Sequence, residues 1–135
     1  WGAAPGPGSK PPDAAITVIH NGQPAANFLR RLFGSGFVAL FFEDDSAPAA
    51  DIHRALEASQ AASLPLTIYT VTRSRAGHPQ AIHDPQGQLA GMYSAQPGAL
   101  VLFRPDGHIA LRRQKAHPQD LAGYFSALCG PPNTP

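Results

Sequence analysis

The number of sulfur atoms limits the redox chemistry that this chain can perform alone. The sequence of 135 residues contains one cysteine, Cys129, close to its C-terminus. Thiol–disulfide exchange needs an attacking and a resolving sulfur within bonding distance, so one copy of the chain has no pair for it. Cys129 also falls at the predicted end of a helix, where the helix dipole opposes a thiolate. We therefore expect a structural or incidental role for this residue.

Two neighbouring carboxylates are the next candidates for chemistry. Asp44 and Asp45 could supply the hard oxygen ligands that a divalent cation prefers. They also immediately precede a predicted helix, and acids at a helix N-terminus are favoured by its dipole. Because adjacent residues rarely face one another across a substrate, a glycosidase-type pair is a poorer interpretation. We expect these two residues to stabilise the start of the helix.

The histidines offer a possible metal site. Only His78 and His83 have a zinc-like spacing, and no cysteine or second histidine pair lies near them in the sequence. A metal site needs three or four convergent ligands, so we expect turn or surface roles for the histidines. The six histidines are His20, His53, His78, His83, His108 and His117.

A glycine-rich segment, Gly34-Ser35-Gly36, resembles part of a nucleotide-binding loop. A dinucleotide fingerprint follows a strand and opens a helix, so that phosphate meets free backbone N–H groups. Here the glycines precede a predicted strand instead, so we interpret them as the end of a helix. The net charge of +1 provides no strong field for nucleic acid, and no aromatic residues interleave the basic ones.

Composition indicates one domain flanked by irregular segments. The length suits a single hydrophobic core, and many of the 15 prolines and 13 glycines lie at the two ends. We predict a lead-in at 1–12, a domain at 13–130 and a tail at 131–135. No apolar run approaches the roughly 20 residues that span a bilayer, and no signal peptide is recognisable. One cysteine fits a reducing compartment, so we expect a cytoplasmic location.

Hydrophobic periodicity and turn residues predict alternating strands and helices. Asn27 is a suitable cap for a short helix over 28–33. Residues 72–81 read as a loop, and Arg104-Pro105-Asp106-Gly107 has the residues of a β-turn that joins two strands. The predicted strands are 16–19, 37–42, 66–71, 100–103 and 108–111, and the further helices begin near residues 46, 84 and 117.

This order of elements is that of a thioredoxin-like α/β domain. It predicts a mixed central sheet with helices on both faces and a C-terminal β-hairpin followed by a helix. The position where such folds keep their redox cysteines is occupied by residues 43–48, with the sequence Glu-Asp-Asp-Ser-Ala-Pro. The scaffold is therefore expected to serve something other than dithiol chemistry.

The stretch from Tyr93 to Arg112, with Pro97-Gly98 and Arg104-Pro-Asp-Gly-His108, resembles a particular family. It is similar to the C-terminal domain of FAD-dependent aromatic-ring monooxygenases of the phenol hydroxylase and hydroxyphenylpropionate hydroxylase group. The opening segment 7–14, the junction 32–37 and the last amphipathic helix agree, so the resemblance covers roughly residues 6–128. Members often have an aromatic residue where this chain has Leu111.

The resemblance implies a thioredoxin-like domain without redox cysteines that provides subunit contacts and structural support. FAD, NAD(P)H and the aromatic substrate are implied for the parent family and not for this chain, in which the Gly-rich flavin fingerprint does not occur. No catalytic residue of the family maps onto the sequence. We therefore expect no catalytic, cofactor-binding or metal-binding residue here.

Positive charges on and after the predicted hairpin suggest a docking face. A solvated sheet edge, on which charges discourage aggregation, is the alternative explanation. We predict self-association, or docking to a flavin-binding monooxygenase domain. The residues of this predicted interaction face are Arg104, His108, Arg112, Arg113 and Lys115.

Two functional hypotheses follow from different classes. The first is a non-catalytic accessory or interaction domain, either excised from or related to a flavin monooxygenase. The second is an independent thioredoxin- or peroxiredoxin-like oxidoreductase that uses Cys129 or a bound cofactor. If the natural gene extends upstream, the parent protein would be an enzyme although this piece is not.

Overall fold

The most apolar part of the chain forms a central strand, as its continuous hydrophobic run predicts. Our computed structural model describes residues 7–9, 13–43, 65–73, 80–117, 120 and 123–124. The strands are β1 (Ala15–His20), β2 (Gln23–Phe28), β3 (Phe37–Phe42), β4 (Leu66–Thr72), β5 (Gln80–His83), β6 (Leu100–Phe103) and β7 (Ile109–Arg113). All six residues of β3 are buried. Two helical elements lie wholly within the described residues, a 3₁₀ helix (Leu29–Leu32) and α1 (Gln88–Met92).

The strands form one mixed sheet of order β2-β1-β5-β4-β3-β6-β7. β4 is parallel to both β3 and β5, whereas the other neighbouring pairs are antiparallel. Parallel neighbours require a crossover between them. This arrangement confirms the mixed sheet and leaves β2 and β7 at the two edges.

The core has two layers, one on each face of the sheet. We call the face that carries Val38, Leu40 and Val101 face A; it packs against Leu29 of the 3₁₀ helix and Leu89 of α1. Face B carries another buried set, which packs with Ala116 and the partly buried Tyr124. Each fully buried large apolar side chain contributes about 1.5–3 kcal/mol. The face B set includes Phe37, Ala39, Phe41, Leu100, Leu102 and Leu111.

The β6–β7 hairpin confirms the turn predicted from Arg104-Pro-Asp-Gly. The N–H of Arg104 donates to the carbonyl of His108 at 2.8 Å, and the N–H of Gly107 donates to the carbonyl of Arg104 at 2.9 Å. Gly107 has a φ of +88°, which favours glycine. A Cβ at this position would also lie 3.3 Å from Cδ2 of Phe33. The backbone of the turn therefore favours glycine, and a side chain here would also press against Phe33.

The predicted helix over 28–33 is wrong in type and extent. Residues 23–28 pair with β1 as the edge strand β2, through the Asn21-Gly22 turn, and only Leu29–Leu32 forms a 3₁₀ helix. Asn27 does not cap that helix, because its side-chain oxygen accepts the N–H of Phe28 at 2.9 Å. β2 is almost entirely exposed, so it lacks the alternating apolar pattern that identifies a half-buried strand.

The predicted loop over 72–81 is also partly wrong, since Thr72 closes β4 and Gln80–His83 forms β5. The next predicted helix begins later than Asp84-Pro85, at Gln88. Asp84 still organises its start, because its carboxylate accepts the N–H groups of Leu89 at 3.1 Å and Ala90 at 3.2 Å. Side-chain acceptors of this kind satisfy donors that have no partner within a helix.

Some predicted elements fall where the structure gives no description. The helix expected from residue 46 and Cys129 lie outside the described residues. Of the last predicted helix, Asp120, Gly123 and Tyr124 are helical. The carboxylate of Asp120 accepts the N–H of His117 at 2.7 Å, which supports a helix start at His117. In the described part of the chain, no helix has the length and apolar character needed to cross a membrane.

Candidate functional site

The β6–β7 turn joins two of the predicted interaction residues through a carboxylate. Arg104 binds Asp106 with both arms of its guanidinium, Nη2 to Oδ2 at 2.7 Å and Nε to Oδ1 at 3.2 Å. The backbone N–H of His108 donates to the same carboxylate at 3.0 Å. These bonds hold the pKa of Asp106 well below its usual range and raise the pKa of Arg104. Part of the positive charge at this turn is thus balanced internally.

Arg112 and Arg113 lie on opposite faces of the sheet, although they are adjacent in sequence. Arg112 is opposite Val101 of face A, and Arg113 is opposite Leu100 of face B. Arg112 is only 8% exposed, and its Nη2 donates to the backbone carbonyl of Tyr93 at 2.9 Å. Burial lowers the pKa of its guanidinium. Its contacts tie β7 to the end of α1, so it does not share an exposed surface with Arg113.

Arg113 and Lys115 form the exposed basic end of β7. The Nε of Arg113 lies 3.6 Å from Oδ1 of Asp120, a contact that leaves about half of the arginine side chain exposed. Lys115 is exposed two residues later. A strand advances about 3.3 Å per residue, so this end is roughly 15 Å from the turn that holds Arg104. The predicted face is therefore divided into the turn, the buried Arg112 and the Arg113–Lys115 end.

The outer edge of β7 is partly occupied by the lead-in segment. The N–H of Gly8 donates to the carbonyl of Ile109 at 2.8 Å, and the N–H of Ile109 donates to the carbonyl of Ser9 at 2.9 Å. An unpaired edge strand is a template for association with other strands. The Gly8–Ser9 contact removes that opportunity at Ile109 and attaches part of the lead-in to the sheet.

The position expected for redox cysteines lies at the carboxyl ends of β3 and β4. Glu43 follows β3 directly, and the hydroxyl of Thr72 donates to its carboxylate at 2.5 Å. Asp44, Asp45 and the rest of 43–48 lie outside the described residues. Ligands of open α/β sheets bind beyond the carboxyl ends of the strands. A cavity of about 330 Å³ occurs here, lined by Phe42, Glu43, Val71, Thr72, Arg73, Asp84, Ala90, Ala95, Gln96 and Pro97.

A larger cavity of about 510 Å³ lies at the end of the β1–β2 hairpin away from its turn, where β1 begins and β2 and β5 end. Apolar side chains from β1, β5 and α1 line it, including Ile16, Ile82 and Leu89. Phe28 and Arg31 also line it, at the end of β2 and in the 3₁₀ helix. Sequence reasoning missed this site. The arginine pair in 28–33 was the available signal, but it was interpreted as part of a short helix.

The described part of the chain contains no cluster of side chains suited to bind a metal ion. Among the described residues, no group of three or more His, Cys, Asp or Glu side chains converges. His83 lies in β5, whereas His78 and His53 fall outside the described residues. The surface or turn roles expected for His78 and His83 therefore stay a prediction for His78.

Comparison with known proteins identifies one relative among curated sequences. The chain is 32% identical over 124 residues to a 4-methyl-5-nitrocatechol 5-monooxygenase from a Burkholderia species. The match covers 90% of this chain and 20% of the relative, so the chain spans about a fifth of the protein it matches. No protein-family model matches the chain.

Solved structures agree on the domain and on its fold. Aklavinone-11 hydroxylase, solved in a ternary complex with FAD and aklavinone, matches 89% of this chain over 20% of its own length, with 29% identity and a TM-score of 0.64. The reduced 2-Cys peroxiredoxin of Plasmodium vivax matches 90% of this chain and 96% of its own length, with 11% identity and a TM-score of 0.68. AhpC of Enterococcus faecalis has 19% identity and a TM-score of 0.66.

The peroxiredoxin matches confirm the thioredoxin-like fold, and the monooxygenase matches confirm the resemblance stated from the sequence. In both monooxygenases the matched segment is one part of a much larger protein. The chain is thus a homologue of the thioredoxin-like C-terminal domain of FAD-dependent monooxygenases.

Proposed function

We propose that this chain is a non-catalytic accessory domain that supports a flavin-dependent monooxygenase by structural and subunit contacts. One observation carries the proposal: the similarity runs through nine-tenths of the chain but through only a fifth of the Burkholderia monooxygenase. A segment of that size in a larger enzyme has the extent of a single domain. In this proposal the parent protein holds FAD and uses NAD(P)H to hydroxylate an aromatic substrate, and this chain holds no cofactor.

The residues of the chain support a role without redox chemistry. Cys129 is the one cysteine in the sequence, and dithiol exchange within a chain needs two. Glu43 stands where the fold would place the start of its redox motif, and it is hydrogen-bonded to Thr72. Neither the carboxylate of Glu43 nor the hydroxyl of Thr72 can take part in thiol–disulfide exchange, because neither contains sulfur. The single cysteine also underlies our proposal of a cytoplasmic location.

We propose that basic residues of the last hairpin, exposed at Arg113 and Lys115 and partly buried at Arg104 and His108, make the contacts to a second copy or to a flavin-binding domain. Arg113 and Lys115 at the end of β7 are the centre of this surface, with Arg104 and His108 at the turn as its second part. Arg112 acts differently: its buried guanidinium fixes β7 to Tyr93. We propose 13–130 as the domain, with 1–12 as a lead-in whose Gly8 and Ser9 are hydrogen-bonded to β7 and 131–135 as a tail.

Light scattering during size-exclusion chromatography tests the contact role. We expect the chain to form a dimer, or to co-elute with the Burkholderia monooxygenase from which the matched segment has been removed. Reversing charge with Arg113→Glu and Lys115→Glu should weaken that association. The matched control is Arg31→Glu, an exposed arginine of the 3₁₀ helix that lies outside the proposed contact surface. A monomer that binds no monooxygenase would contradict the proposal.

An independent oxidoreductase is the second candidate, because the peroxiredoxin match extends through nearly the whole length of both proteins. At 11% identity this match concerns the fold alone. Peroxide consumption and dithiol-dependent disulfide reduction are the relevant assays, with Cys129→Ser as the comparison. We expect no turnover from the unsubstituted chain. Turnover that disappears in the Cys129→Ser variant would favour the oxidoreductase over the accessory domain.

A further inference from the structure

The 510 Å³ cavity has the size and the buried apolar lining of a small-molecule site. Its size falls in the range of about 300–1,000 Å³ that holds compact organic ligands. Ile16, Ile82 and Leu89 are each at most 8% exposed and line it. Met92 of α1 adds a flexible thioether side chain, which adapts to irregular apolar shapes. An apolar body would be removed from water on entering this space.

An exposed aromatic ring extends the apolar lining to the surface. Phe28 is 42% exposed and is the one large hydrophobic residue with such exposure among those the structure describes. The guanidinium of Arg30 lies 4.6 Å from the centre of its ring, which holds the ring in place by a cation–π contact. Asn27 accepts the backbone N–H of Phe28. The ring is thus positioned at the cavity.

The two arginines of the 3₁₀ helix differ in their partners. Arg30 forms an ion pair with Asp13, which also accepts the backbone N–H of Arg30 at 3.0 Å. Arg31 lines the cavity, and within the described residues its guanidinium has no hydrogen-bond or ion-pair partner. A guanidinium carries five donors in a planar fork that matches a carboxylate. Arg31 is therefore the cation available to a ligand.

The carboxylate of Asp84, the acidic group in the cavity lining, already accepts hydrogen bonds from the backbone of α1. Asp84 is only 8% exposed, and both of its carboxylate oxygens accept the N–H of Leu89 at 3.1 Å. Ala90 donates a further N–H at 3.2 Å. This leaves Arg31 as the charged group with free donors and selects an anion over a cation.

We propose that this cavity binds a small amphipathic anion, an apolar or aromatic body that carries one carboxylate. The apolar body lies on Ile16, Ile82 and Leu89, and the carboxylate pairs with the guanidinium of Arg31. The site lies at the same edge of the sheet as Glu43, since Asp84 lines both cavities, whereas the basic end of β7 is separated from β1 by four strands. The proposal does not depend on the accessory role of the chain.

Titration of the full chain with 2-naphthoate, followed by amide NMR, tests the site. Neutral 2-naphthamide, which has the same apolar body, serves as the matched ligand. We expect 2-naphthoate to shift the amide signals of Ile16, Ile82 and Leu89 and to bind more tightly than the amide. Charged hydrogen bonds of this kind correspond to a change of about tenfold or more in the dissociation constant.

Variants of two arginines separate a specific contact from general attraction. Arg31→Gln should weaken 2-naphthoate by about tenfold and leave 2-naphthamide unchanged, and Arg31→Lys should retain part of the preference. Arg73→Gln removes the same charge from an exposed arginine that lines the neighbouring cavity and not this one, and it should leave both ligands bound as before. Equal loss in both variants, binding that maps elsewhere, or no binding because a second copy covers the cavity would overturn the proposal.

Discussion

Replacing Arg112 should destabilise the domain, whereas the same replacement at Arg113 should not. In Arg112→Leu the carbonyl of Tyr93 loses the guanidinium donor that lies 2.9 Å away. A buried acceptor left without a partner costs about 1–3 kcal/mol. Arg113 is half exposed and its 3.6 Å contact with Asp120 is at the surface, so Arg113→Leu should change stability by about 0.5 kcal/mol or less.

Urea unfolding followed by circular dichroism provides the comparison. With a denaturant slope of about 2 kcal/mol/M, a loss of 1–3 kcal/mol lowers the midpoint by about 0.5–1.5 M. Arg112→Met retains the length of the aliphatic side chain, so it separates lost packing from the lost hydrogen bond. We expect Arg112→Met to be nearly as unstable as Arg112→Leu, because neither variant can donate to Tyr93.

Equal midpoints for the Arg112 and Arg113 variants would refute this reasoning. That result would mean that the two side chains share one environment, contrary to their placement opposite Val101 and Leu100. A stabilised Arg112→Leu variant would refute it as well. It would show that the cost of burying the guanidinium exceeds the value of its bond to Tyr93.

Three further outcomes follow from the same structure. Gly107→Ala should lower stability by roughly 1–3 kcal/mol in thermal unfolding, because its φ is +88° and its Cβ would contact Phe33; an unchanged melting temperature would contradict this. Leu40→Ala should cost about 2–5 kcal/mol in urea unfolding, since Leu40 is fully buried in the central strand, and a loss below 1 kcal/mol would argue against that burial. The pKa of Asp106 is lower in the folded chain than in the unfolded one, so its contribution to the free energy of unfolding is complete above about pH 4 and declines as the pH falls further. The Asp106→Asn variant should therefore lose less stability than the unsubstituted chain between about pH 5 and 2.5. Parallel curves of stability against pH would exclude the Arg104 pairing as the cause.

Strong local patterns made part of the fold predictable. The unbroken apolar run of β3 has the length and the residue types that favour a strand buried on both faces, and the structure buries all six of its residues. The turn between β6 and β7 is predictable because Pro105 and Gly107 have local backbone preferences that favour it. The family resemblance depended on this same hairpin, so it was also available from the sequence.

Weak local patterns made other parts unpredictable. β2 contains Pro24 and three consecutive small or polar positions, and its residues are mostly exposed, so its own side chains do not identify it as a strand. It is a strand because β1 offers hydrogen-bonding partners after the Asn21-Gly22 turn. β5 has only four residues and is defined by pairing with β1 and β4. Pairing between distant segments is a property of the assembled sheet.

The sequence by itself determined the chemistry that the chain can contain: one cysteine, a carboxylate-rich segment at the redox position, and a hairpin shared with monooxygenase domains. Tertiary structure decided which charges are exposed. Side chains alternate across a strand, which places Arg112 on the face where it contacts Tyr93 at the end of α1 and leaves Arg113 half exposed on the other face. It also decided that Arg30 is paired with Asp13 and that Arg31 faces a cavity, since both depend on contacts that only folding brings together.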